Sequence, residues 1–390
     1  MDKIRFGVVG LGHRGRLMAR LAAESFPCTE FVAACDIDPL LWTETQWRED
    51  RPLKDRFPHV AFYEDYEKML EQSRLDLILV ETGADVHADF CIKALGKNIN
   101  VFSDIPSVAN LDEAKRLWEA ERASEAKLMT GANPNEWGFI NTLADLYEKG
   151  LLGEPYYMEA EYIHSSRMKP SENPLLIHSP WRKTLPPIRY CTHSLGPLLR
   201  ILKEDLRYAI CVGTGVHVDP DSQKDDMQAA LFQTESGVTI RLLRNGCCRA
   251  FIGHHSYRVF GTKGYYERID SRGKTPPVVR FRSDVLYGAD TITELPVDMM
   301  PHEYADNPAA SGHGGADYAL LDHMFKAMRN GEKEFPITLR DGLCMTLPGI
   351  YAAESAKLGG KKLTIHYPWE PEFAADIETM NTDCIPHGKE

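Results

Sequence analysis

The segment that most constrains this chain lies at its start. Residues Ile4 to Val9 form an apolar, β-branched run, followed at once by Gly10-Leu11-Gly12-His13-Arg14-Gly15 and then by the helix-forming stretch Arg16 to Ala23. Such a run reads as a strand buried on both faces of a parallel sheet. Three glycines between a strand and a helix shape a turn for a pyrophosphate. Gly10 permits the tight turn, Gly12 lets the backbone approach the phosphates, and Gly15 lets helix and strand pack closely. The helix N-terminus offers unpaired N–H groups at the same place. A plain β–α turn could use the same glycines, but it would not need the acid that follows. A second strand, Glu30 to Cys35, ends in Asp36-Ile37-Asp38. An acid at this position accepts from a ribose 2′-hydroxyl and repels a 2′-phosphate. No Arg follows Asp36 directly, so NAD is expected in preference to NADP. The expected cofactor positions here are Gly10, Gly12, His13, Arg14, Gly15, Asp36 and Ile37.

The alternation continues: helix Tyr66–Gln72, strand Leu75–Val80, helix His87–Leu95, strand Ile99–Phe102, helix Leu111–Ser124 and strand Lys127–Thr130. Residues 1–132 therefore read as a doubly wound Rossmann domain of α/β class. Ligands bind at the carboxyl ends of such strands, which singles out the loops Glu81-Thr82-Gly83 and Ser103-Asp104-Ile105-Pro106. From about Asn133 the pattern changes. A helix is predicted over Gly138–Lys149, and strands over Tyr156–Ile163, Tyr208–Val216, Gln228–Thr234, Val238–Asn245 and His255–Phe260. Two more helices follow at Asp317–Arg329 and Gly342–Leu358. This is an α+β domain over 133–365 with an open, mainly antiparallel sheet. An apolar outer face on that sheet would be covered by another copy, giving a homodimer or homotetramer. The tail 366–390, rich in Pro and acids, is expected to be an arm or disordered.

Composition narrows the partners. The 390 residues carry a formal charge of −12, and the basic residues are scattered. That argues against nucleic acid and anionic membranes, which reward concentrated positive charge. No apolar run approaches the roughly 18 residues of a membrane span. The first residues lack a signal-peptide layout, so a cytoplasmic location is expected. Nine cysteines show no CxxC spacing, so reduced, buried thiols are expected and structural zinc is not. His254 and His255 are adjacent on a strand and point to opposite faces, which does not suit a shared metal.

Three polar constellations stand out in the second half. Tyr162 and His164 share one face at the end of a strand, with Arg167 just beyond. Tyr190 and His193 share one surface if a helix begins near Tyr190. The turn Gly312-His313-Gly314-Gly315-Ala316-Asp317 enters a helix that Asp317 is placed to cap. Each has a plainer reading as a packed pair or a structural turn.

The motifs GLGHRG and VETGADVHADFCIKALGKNINVF, with the loop that follows, resemble the glucose–fructose oxidoreductase / inositol dehydrogenase (Gfo/Idh/MocA) family. In typical members that loop reads Glu-Lys-Pro, with the Lys near the reacting hydroxyl; here it reads Asp104-Ile105-Pro106, and Ile105 moves no proton. The second half is similar to the NAD-dependent α-N-acetylgalactosaminidase family of glycoside hydrolases, through YIHSSR, PWRK, RYCTHSLGPL and HGGADY. That family also carries an apolar residue where plain dehydrogenases have the loop Lys. Dehydrogenases of the wider family favour Asp-x-Gly-x-His ending at the place of His193, where this chain has Arg189 and Cys191. Cys191 for Pro and Ser194 for Gly depart from the glycosidase pattern and leave the sugar open.

The resemblance implies further cofactor contacts at Thr82, His87, Asp104, Pro106, Asn133, Trp181 and Arg182. It implies catalytic roles for Tyr190, His193, His164 and Tyr162, and sugar contacts from Arg167, His313 and Asp317. The implied reaction removes hydride from C3 of a glycoside to NAD, eliminates the C1 substituent, adds water and reduces C3 again. The paired carboxylates of an ordinary retaining glycosidase are not evident in the second half. Two other readings stand beside it: a plain NAD-dependent sugar or inositol dehydrogenase with His193 as base, and a non-catalytic NAD-binding sensor.

Overall fold

A computed structural model describes residues 3–46, 49–164, 181–248, 254–268, 278–286 and 291–380; Arg167 lies outside the described residues. The chain divides into two compact units, the first comprising Met1–Gly131, Asn307–Gly312 and Asp317–Gly342, the second Ala132–Asp306, His313–Ala316 and Leu343–Glu390.

The first unit holds strands β1 (Ile4–Val9), β2 (Thr29–Cys35), β3 (Ala61–Tyr63), β4 (Leu77–Val80), β5 (Asn100–Ser103) and β6 (Leu128–Thr130). They pair in parallel in the order β3-β2-β1-β4-β5-β6. β4 is buried along its whole length, as a strand covered on both faces must be. Helix Leu111–Ala123 starts on a reciprocal cap: Asn110 Oδ1 accepts from Glu113 N, and Glu113 Oε2 accepts from Ala109 N. The strand order reverses between β1 and β4, so the ligand crevice of this fold opens beyond Val9 and Val80. Residues 317–342, expected in the second domain, join this unit. Their helix, Ala316–Asn330, lays Tyr318 and Phe325 against Phe26, with ring centroids 4.5 and 5.0 Å apart.

The second unit is built on β7 (Pro155–Ile163), β8 (Leu206–Gly213), β9 (Met227–Thr234), β10 (Thr239–Asn245), β11 (His254–Gly261), β12 (Gly264–Arg268), β13 (Val279–Ser283), β14 (Thr293–Leu295) and β15 (Leu363–Thr364). Their order is β14-β13-β12-β11-β7-β10-β9-β8-β15, antiparallel throughout except between β7 and β10. One register row runs Arg241, Glu159, Arg258, Glu267, Arg280, Glu294, alternating in charge across six strands. The apolar outer face expected here is therefore replaced, along this row, by cross-strand ion pairs. The tail also differs from expectation as far as residue 380. Tyr367 and Phe373 are buried, residues Phe373–Thr379 form a helix, and His366 Nδ1 lies 2.8 Å from Asp376 Oδ2. No described helix is long and apolar enough to cross a membrane.

Candidate active site

The glycine loop has the shape a dinucleotide needs. Gly10 adopts φ +88°, and a Cβ there would stand 2.7 Å from the Glu81 carbonyl oxygen. A Cβ on Gly15 would overlap the Gly10 carbonyl, whereas one on Gly12 would meet nothing within 4 Å. Two glycines are thus needed for packing, and the third faces the open space that a pyrophosphate requires. Asp36 braces this loop: its Oδ2 accepts from Leu11 N at 2.6 Å and its Oδ1 from Asp38 N at 2.9 Å. Ile37 beside it is 86% exposed.

Arg14 is held by acids. Its Nη1 and Nη2 donate to Asp317 at 2.6 and 2.9 Å, and its Nε lies 3.6 Å from Asp104 and 3.9 Å from Glu81. Burial alone would pull the guanidinium down, but Asp317, Asp104 and Glu81 outweigh it and hold Arg14 firmly charged. Burial, then Asp104, pushes the Glu81 carboxyl well above the usual carboxylate range, against the pull of Arg14. Asp317, expected to cap its helix and touch sugar, lies inside the first turn, with its carboxylate on Arg14. His87 is enclosed: Nε2 lies 2.9 Å from Ser103 Oγ and Nδ1 3.3 Å from Thr82 Oγ1, and burial lowers its pKa. Ile105, joined to Pro106 by a cis bond, is buried.

The second unit gathers the four residues expected to move protons. Met158 and Ala160 of β7 point into the core, and the alternation carries Tyr162 onto the same face. The turn Pro187–Arg189 delivers Tyr190 just ahead of helix Thr192–Leu199, so Tyr190 precedes the helix rather than starting it. Its Oη still lies 3.4 Å from His193 Nε2, with the rings edge to face at 5.1 Å. Tyr162 is centred 5.7 Å from His193, 6.4 Å from Tyr190 and 5.9 Å from His164. Tyr257 Oη donates to the His193 carbonyl at 2.7 Å and anchors the helix start. Asn245 fixes the strand end, accepting from His164 N and donating to His164 O.

Two members of this cluster are missing from the sequence reading. In register, β10, β7 and β11 set Arg244, Tyr162 and His255 side by side. His255 stacks on Tyr162 at 3.9 Å and 23°, and it is kept neutral by burial first, then by His193 and Arg244. Arg244 Cζ lies 4.0 Å from the Tyr162 ring and 5.1 Å from the Tyr190 ring. The signal for Arg244 was an arginine ending an apolar strand in step with Ile240 and Leu242. For His255 the sequence offers only its adjacency to His254.

Asn133, Trp181 and Arg182 belong to this unit too. Arg182 lies over Trp181 at 4.4 Å and over Tyr190 at 5.7 Å. The His313 carbonyl accepts from Trp137 Nε1 at 3.0 Å, and Trp137 in turn touches His255 edge-on at 4.7 Å. No three His, Cys, Asp or Glu side chains among the described residues gather as metal ligands.

Residues 4–132 match the Gfo/Idh/MocA family, described as an oxidoreductase family with an NAD-binding Rossmann fold. A glycosyl hydrolase family 109 protein of Bacteroides fragilis is 25% identical, over 85% of this chain and 78% of its own length. An α-N-acetylgalactosaminidase of Shewanella oneidensis is 21% identical, over 94% of this chain and 85% of its own. Among solved structures, a levoglucosan dehydrogenase in complex with NADH and levoglucosan superposes with a TM-score of 0.78 at 16% identity, covering 93% of this chain and 100% of that one. The scyllo-inositol dehydrogenase of Lactobacillus casei, with NAD(H) and scyllo-inositol, gives 0.70 at 16%, covering 93% and 99%.

Proposed function

We propose that this chain, whose residues 4–132 match the Gfo/Idh/MocA oxidoreductase family with its NAD-binding Rossmann fold, cleaves a glycoside by a redox-neutral route. The observation that carries the proposal is the contact of Tyr190 with His193, 3.4 Å between Oη and Nε2, with Tyr162 packed beside both. Gly10, Gly12, Gly15 and Asp36 would hold NAD, which supplies a hydride acceptor for a sugar carbon, C3 in this proposal, and the donor for its return. Every other step is proton movement by this chain. The Tyr190–His193 pair takes the proton of the C3 hydroxyl. The pair passes that proton to solvent; a ketone at C3 acidifies the C2 hydrogen, which the pair then takes and exchanges with solvent. It supplies protons to C2 as water adds at C1 and to the C3 oxygen as C3 is reduced. Tyr162 and His164 hand a proton to the departing oxygen at C1 and orient the water that replaces it. An imidazole, whose intrinsic pKa lies near neutrality, is the side chain suited to this work. Ile105 leaves no proton-moving group where plain dehydrogenases carry lysine, which favours the glycosidase reading, as do the names of the relatives.

The test is stoichiometric. Nitrophenyl glycosides and free sugars are assayed with NAD absent, at trace level and in excess. The proposal expects many turnovers per NAD on a glycoside. Consumption of one NAD per sugar would establish a dehydrogenase, and NAD binding without turnover a sensor. Assembly as a dimer or tetramer through the sheet row of alternating charge belongs to the same proposal, and light scattering that gives a 44.0 kDa monomer would refute it.

A further inference from the structure

We propose that the sugar handled by the tyrosine–histidine cluster is acidic, carrying a carboxylate or phosphoryl group that Arg182, Lys224 and Arg244 receive. This rests on the cluster being the sugar site, and it adds the substrate's charge. Three cations converge around Tyr190. Arg182 and Arg244 lie over its ring at 5.7 and 5.1 Å, and Lys224 Nζ donates to the Arg182 carbonyl at 2.6 Å. Among the described residues none of the three has a carboxylate within ion-pair distance, although acids outnumber bases 57 to 45 in the chain.

The acids nearest in sequence are turned away. Asp225 accepts from Gly215 N and Gln228 Nε2, at 2.8 and 2.7 Å. Asp226 accepts from His217 N and Val218 N, at 2.5 and 2.8 Å. Arg244 spends Nε and Nη1 on the carbonyls of Tyr190, Tyr162 and Asn245 and on Asn245 Oδ1. It is fixed in place but its charge is not compensated. The neighbours feel that excess: burial, then Arg244 and Arg182, pulls Lys224 down to about 8. Gathering like charges around a half-buried ring is unfavourable unless an anion joins them. Arginine forks and a lysine ammonium are the donors that recognise carboxylate and phosphate. Arg182 is exposed, so its donors are accessible to such a ligand.

The NAD-loaded full chain is titrated calorimetrically with glucose, glucuronate and glucose 6-phosphate, and with the galactose trio, and the nitrophenyl glycosides of the same sugars are assayed for cleavage with trace NAD. An acidic member should bind at least ~10-fold more tightly than its neutral parent, the scale of one charge-assisted hydrogen bond. The arm that wins tells carboxylate from phosphate. Lys224→Met and Arg182→Met should erase most of that advantage, and Arg182→Lys should keep more of it. Neutral sugars bound as well as acidic ones would overturn the inference, as would no binding of any sugar. So would variants that weaken NAD binding while the acidic preference persists. Turnover confined to neutral sugars sinks the acidic substrate and leaves the proposed reaction standing. Acidic preference with no NAD-dependent turnover does the reverse.

Discussion

Strand β10 sends Arg241 to one face of the second sheet and Arg244 to the other, and the two arginines have opposite surroundings. Arg241 sits between Glu159 and Glu161, within a row where every cation meets an acid. Arg244, buried, meets among the described residues only carbonyl and amide oxygens and two tyrosine rings. The outer face is closed electrostatically and can serve as scaffold or contact surface. The inner face is left with uncompensated positive charge beside groups that can move protons. Structure spends its charges in pairs; a site keeps some unspent.

Substitutions on the two faces should separate sharply. The largest effect belongs to the inner face. Tyr190→Phe or His193→Asn should lower turnover by ~10²–10⁴-fold, the usual cost of a lost general acid or base, while NAD affinity by titration hardly moves. Comparable losses of turnover and NAD affinity would mean that the pair holds cofactor instead. Next comes Arg244→Met, which strips a donor from the carbonyls of Tyr190, Tyr162 and Asn245. It should cost roughly 1–3 kcal/mol in chemical denaturation and lower turnover as Tyr162 and Tyr190 lose their common support. The smallest effect is Glu159→Gln on the outer row. Its pairs with Arg241 and Arg258 are half-exposed, so stability should fall by about 1 kcal/mol or less, with turnover unchanged. A turnover defect in Glu159→Gln equal to that of Arg244→Met would erase the distinction between the faces.

The two halves of the molecule were not equally legible. In the first, β4 and β6 are buried along their whole length and β1 nearly so, which makes them apolar runs, whereas the partly exposed edge strand β3 shows no such run. Helices Tyr66–Gln72 and His87–Leu95 fall where their periodicity predicts. In the second, β12 and β13 carry Glu267, Arg268, Arg280 and Arg282, which break the apolar alternation. Those charges make sense only once the neighbouring strand supplies the partner. The site follows the same division. Tyr162 with His164 and Tyr190 with His193 are two and three residues apart, so local geometry brings them together. Arg244 and His255 join them because β10 and β11 flank β7, which no local pattern discloses. The pairing of Asp317 with Arg14 is hidden in the sequence for the same reason, since the two stand 303 residues apart.

The central claim is that Tyr190 and His193 move protons on a sugar made reactive by oxidation. The most direct test runs turnover of a glycoside substrate in deuterated water with trace NAD and follows C2 by NMR. The account predicts deuterium at C2 of the released sugar with no net NADH, and loss of that label in His193→Asn. Steady NADH production with the C2 hydrogen retained would contradict it.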